Sequence, residues 1–140
     1  MNQRETKIHV ELCKFVRLAY PRALFHSDTG SGVKLTIAQA KLFAKLRKKR
    51  GHPDFMIYDA SIIPNPSTLE LMVYNGLALE LKAEGVKLFK KDGEMVLNPH
   101  FIEQAEYLKD LERRGWSAKF AVGLDMAMKE VDRYMKGVTT

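Results

Sequence analysis

Four short signals in this 140-residue chain place acids and amines where they could act together. Asp54 follows Pro53 at the expected start of a strand. Further on, Leu77, Leu79 and Leu81 alternate with Ala78, Glu80 and Lys82. Alternate side chains of a strand point to one face about 6.6 Å apart, so Glu80 and Lys82 project side by side. Glu11 sits at the margin of the apolar stripe of a first helix, and Gln104 falls inside the stripe of a later one. Carboxylate oxygens brought into one pocket suit a hard divalent cation. A carboxylate at the edge of a core is costly to desolvate unless a cation or donor meets it. Taken singly, each signal has an ordinary explanation. Pro-Asp commonly means a turn, Glu-x-Lys an incidental surface ion pair, and an inward glutamine a core hydrogen bond. Glu11 alone would simply reach past the stripe to water.

The elements that must position these residues follow from periodicity and punctuation. Ile8, Leu12, Phe15 and Ala19 predict a helix over residues 5–19, closed by Pro21. A short strand is expected at 23–26, then a loop, Ser27-Asp28-Thr29-Gly30-Ser31-Gly32. Thr36 and Gln39 have the spacing of a capping box and open a second helix, expected to run to Gly51. A strand is expected over 55–58. Residues 59–75, with two prolines and two asparagines, are harder to place; 69–74 within them reads as a strand, and 62–75 as an insertion or extra hairpin. A firmer strand covers 77–83. Asn98 caps a third helix with Pro99 at its first position, where the missing N–H costs nothing. That helix reaches about Arg114. A strand over 116–122 and a last helix over 124–136 complete an α/β chain, with a small central mixed sheet flanked by helices.

Composition bounds the rest. A chain of 16.0 kDa is read as a single domain, residues 1–140. The lone Cys13 excludes an internal disulfide and a cysteine-built zinc site. No apolar run approaches the roughly 18 residues of a membrane span, so no membrane partner is expected. The opening MNQRETK lacks the apolar core of a signal peptide, which points to an intracellular protein. The net charge of +6 suits a polyanionic partner, nucleic acid first.

Together, Glu11, Gly51-His52-Pro53-Asp54-Phe55, Leu79-Glu80-Leu81-Lys82 and Gln104-Ala105-Glu106-Tyr107-Leu108 resemble the PD-(D/E)xK nuclease superfamily. Within it they resemble the VRR-NUC (virus-type replication-repair nuclease) domain, over roughly residues 5–135. The resemblance implies a restriction-endonuclease-like fold and a Mg²⁺- or Mn²⁺-dependent DNA endonuclease. Its substrate would be branched or otherwise structured DNA, as for Holliday-junction resolvases. It further implies a homodimer, often phage-encoded and then acting in the host cytoplasm, with a DNA-repair role. Asp54, Glu80 and the backbone carbonyl of Leu81 would hold the cation, and Glu11 a second ion or a water. Lys82 would orient the attacking water, and Gln104 would position the water or Lys82. The 25 residues between Asp54 and Glu80 depart from the pattern. An exonuclease or nicking nuclease of the same fold, an RNA-directed nuclease, and a DNA-binding module without chemistry remain alternatives.

Substrate contacts are expected from a basic segment. Between Asp28 and Asp54 lie Lys34, Lys41, Lys45, Arg47, Lys48, Lys49 and Arg50 and no acid, leaving 16 basic and 17 acidic residues elsewhere. Lys41, Lys45 and Lys48 form a helical stripe suited to tracking phosphates. Lys34, His52 and the backbone of the Thr29-Gly30-Ser31-Gly32 loop are further candidates.

Overall fold

Strand β5 (Leu77–Lys82) fixes the architecture, because all six of its residues are buried. The alternation had left open an exposed face for Ala78, Glu80 and Lys82; instead both faces are covered. In the computed structural model, which describes residues 3–28 and 35–138, β5 is an inner strand of a four-stranded sheet whose strands lie in the order Phe25–Ser27, Phe55–Ile57, Leu77–Lys82, Ser117–Val122. Strands β1 (Phe25–Ser27) and β2 (Phe55–Ile57) pair antiparallel with each other, and β2 pairs antiparallel with β5. Strand β6 (Ser117–Val122) runs parallel to β5 from the Leu77–Ser117 pair to the Lys82–Val122 pair. A parallel pair needs a long crossover. Helix α3 (Pro99–Arg113) supplies it, started by Asn98, whose side chain accepts the His100 and Phe101 N–H groups.

The sheet separates two apolar layers. On one face Leu77, Leu79 and Leu81 meet Ile8, Leu12 and Val16 of helix α1 (Gln3–Ala19) and Ala127, Val131 and Tyr134 of helix α4 (Leu124–Met135). On the other, Met56, Ala78 and Ala118 pack under Leu108 of α3. Glu80 and Lys82 share parity with Ala78, so they lie on the α3 side. No helix among the described residues is long and apolar enough to cross a membrane.

One expectation is met and one changes. The extra hairpin expected within residues 62–75 is present as β3 (Ser61–Pro64) and β4 (Leu71–Tyr74), an antiparallel pair outside the main sheet. It is tied to α4 by Ser61 Oγ donating to the Tyr134 carbonyl at 2.6 Å and by the Tyr134 hydroxyl donating to the Asp59 carbonyl at 2.6 Å. Ile63 and Tyr74 face the core, while Ile62, Leu71 and Val73 are exposed. The second helix, α2 (Ile37–Lys45), has its capping box at Thr36 and Gln39 but stops well short of Gly51. Lys45, Arg47, Lys48, Lys49 and Arg50 would crowd like charges on further turns, and α2 has no buried residue to offset that repulsion.

Gly51 ends this extended basic segment with φ of 96°, and its backbone passes directly against α3. A Cβ there would lie 2.6 Å from the Glu103 carbonyl oxygen. Gly51→Ala is therefore expected to cost about 2 kcal/mol from combined backbone strain and overlap. A lower urea midpoint with unchanged slope would show it, and a wild-type midpoint would refute it.

Candidate active site

The site forms where β2 begins beside a longer β5. Phe55 is the first residue of β2 and pairs with Leu79, so Glu80 to Lys82 run past the start of β2. The Asp54 carboxylate fills that gap, its Oδ2 accepting the Leu81 N–H at 3.1 Å. The N–H and C=O of one strand residue point to the same side, which turns the Leu81 carbonyl toward Asp54 as well. From α3, Gln104 Nε2 donates to Glu80 Oε1 at 2.7 Å. Lys82 Nζ lies 3.6 Å from the same oxygen and 4.7 Å from the centroid of the Phe101 ring. Glu80 Oε2 and Gln104 Oε1 are buried without a hydrogen-bond partner among the described residues.

Asp54 is 6% exposed and Glu80 2%. Burial raises the carboxyl pKa of both above its usual range. The neighbouring Asp54 charge pushes Glu80 further, to about 10, and Lys82 offsets only part of this. Such a pair is short of positive charge. Two carboxylates, a backbone carbonyl and water form a donor set that fits a hard divalent cation. Among the described residues no three His, Cys, Asp or Glu side chains form a ready-made metal cage.

Four of the expected residues are thus brought together: Asp54, Glu80, Lys82 and Gln104. Glu11 is not among them. Its side chain is 41% exposed and pairs with Lys14 at 3.6 Å. The α1 residue that faces Asp54 is His9, two positions earlier and about 200° around the helix. Its Nε2 lies 3.9 Å from Asp54 Oδ2, and Glu5 and Asp28 also act on it through their charges. Sequence reading passed over His9 because a histidine beside Ile8 and Leu12 looks like one more stripe residue. Glu5, four residues from His9, carried the matching signal.

A cleft of about 590 Å³ opens onto Asp54 and Gln104. Ala40 and Phe43 of α2 border it, together with Arg47, Lys49, Arg50, His52 and His100. Lys41 and Lys45 lie on the other side of α2, Lys48 follows its end, and none of the three lines the cleft. Lys49 is engaged with Asp110 and lies 5.5 Å from the Tyr107 ring centroid. Arg47 and Arg50 make no ion pair among the described residues. His52 meets Tyr107 edge-on at 5.4 Å between ring centroids. Lys34 and residues 29–32 lie outside the described residues.

A three-layer α/β/α chain with an acid pair and a lysine on its central strands is the class this geometry defines. No protein-family model matches the chain, and no curated protein matches it. Among solved structures it is similar to a "VRR_NUC domain protein", at 19% identity over 99% of this chain and 93% of that one. The TM-score is 0.64, so the two chains share a fold.

The buried acid pair predicts a stability effect. Asp54→Asn keeps an acceptor for the Leu81 N–H and removes the buried carboxylate charge that helps to raise the Glu80 pKa. In metal-free buffer it is expected to gain about 1 kcal/mol, a rise of about 2–5 °C in thermal midpoint. An unchanged or lower midpoint would show that the buried Asp54 charge does not strain the fold.

Proposed function

We propose that the protein is a Mg²⁺- or Mn²⁺-dependent DNA endonuclease of the VRR-NUC branch of the PD-(D/E)xK superfamily. The convergence of Asp54, Glu80 and Lys82 on one end of the central strands carries this reading. The shared fold with a VRR_NUC domain protein supports it.

In this reading Asp54, Glu80 and the Leu81 carbonyl hold the cation. When bound, the cation supplies positive charge for the pentacoordinate phosphate and for a water that must lose a proton. Lys82, held between Glu80 and the Phe101 ring, directs its ammonium at that water and favours its anionic form. Gln104 fixes Glu80 Oε1 and leaves its own Oε1 free to orient a water. Arg47 and Arg50 receive phosphates along the cleft, which His52 and His100 also line. In this reading the protein acts inside the cell, on branched or otherwise structured DNA. A homodimer would set two such sites on two strands. The exposed outer face of the β3–β4 hairpin, with Ile62, Leu71 and Val73, offers a surface for the second copy.

A cleavage assay on four-way, flap, nicked and linear DNA tests the reading directly. Cleavage is expected with Mg²⁺ or Mn²⁺, strongest on branched substrates, and absent with EDTA. Asp54→Asn and Lys82→Ala are expected to lose at least about 100-fold in rate while still binding DNA. Undiminished cleavage by Asp54→Asn would sink the assignment. Arg47→Ala with Arg50→Ala is expected to weaken DNA binding and to lower its salt slope by about 2. The Lys41, Lys45 and Lys48 triple alanine variant is expected to lose less, and equal losses would remove the cleft wall's special role.

A further inference from the structure

His9 is 2% exposed, and its two ring nitrogens meet different surroundings. Nδ1 lies 2.5 Å from Ser27 Oγ, on the strand that pairs with β2. Nε2 has no hydrogen-bond partner among the described residues and lies 3.9 Å from Asp54 Oδ2. A buried polar atom left unpaired costs on the order of 1–3 kcal/mol. The apolar layer around Ile8 and Leu12 gives no packing reason for an imidazole at this place. The facing carboxylate does.

We infer that His9 is a positioning residue for Asp54, the middle of a Ser27–His9–Asp54 chain that aims the carboxylate at the cation. The inference rests on the reading of Asp54 as a metal ligand. An Nε2 lone pair turned at a carboxylate would be repulsive. Ser27 therefore donates its hydroxyl to Nδ1, and the Nε2–H faces Asp54 Oδ2. That same oxygen accepts the Leu81 N–H, so a backbone donor and an imidazole act on one oxygen from two elements. The other carboxylate oxygen is left to the cation. His9 itself stays outside the ligand set: hard cations prefer oxygen, and no trio of His, Cys, Asp or Glu is gathered here among the described residues. Groups that orient a ligand in this way typically contribute 10–100-fold to metal affinity.

Binding of Mn²⁺ to the full chain without DNA, followed by electron paramagnetic resonance, separates the possibilities. His9→Ala is expected to bind Mn²⁺ 10–100-fold more weakly while keeping a cooperative thermal transition. His9→Gln, whose amide can still donate to Asp54, is expected to recover most of that loss. Ser27→Ala, which frees Nδ1 but leaves the ring in place, is expected to lose a smaller factor. Pulsed measurements on the wild type should show no directly bonded nitrogen. Wild-type affinity in both His9 variants would overturn the inference, since a purely structural histidine would change the midpoint alone. A directly bonded nitrogen that disappears in His9→Ala would overturn it too, making His9 a ligand. Undiminished Mn²⁺ binding by Asp54→Asn, or none by the wild type, would instead remove the metal reading on which the inference stands.

Discussion

Asp54 and Glu80 face one another with almost no water to solvate them, and much of the molecule is arranged around that conflict. The four donors that reach the pair come from three elements. The Leu81 N–H comes from the central strand itself, the Gln104 amide from α3, Lys82 from two residues along β5, and His9 from α1 in the opposite layer. None of them neutralises both charges, so Glu80 keeps its proton far above the usual carboxylate range. A fold selected for stability alone would fill this place with apolar side chains. Here the sheet instead ends its most buried strand in ionisable groups.

The two cores make that arrangement rigid. Leu77, Leu79 and Leu81 anchor β5 against α1 and α4, while Ala78 leaves room for α3 to approach on the other face. The close passage of Gly51 against Glu103 then fixes the chain just before Asp54 to the helix that carries Gln104. Asp54 and Gln104, far apart in sequence, are thereby brought to one site by a backbone contact between their neighbours.

Much of this was legible in the sequence. The caps at Thr36 and Asn98, the alternation from Leu77 to Lys82 and the pairing of Pro53 with Asp54 are local signals, and the structure realises them locally. What depended on neighbours was not legible. The burial of Ala78, Glu80 and Lys82 follows from α3 lying over them, which an alternating pattern does not reveal. Glu11 and His9 sit on one helix two positions apart, and only the direction of the sheet beneath decides which of them faces Asp54. The basic residues after Lys45 looked like more helix because their propensity is high, yet mutual repulsion and the lack of any buried stripe ended it. The hairpin within residues 61–74 was legible as an extra hairpin, but its seat on α4 was not, because that tie is a tertiary contact between residues some seventy apart.

Helix α2 has no buried residue, although it borders the cleft. Its local opening therefore exposes little apolar surface and needs far less free energy than unfolding the sheet. Nor does the interior restrict which side chains α2 carries. Mutations there are filtered by what the helix touches outside the protein and not by folding. The segment beside the acids is thus held only lightly by the core, and its side chains can change while the sheet beneath stays as it is.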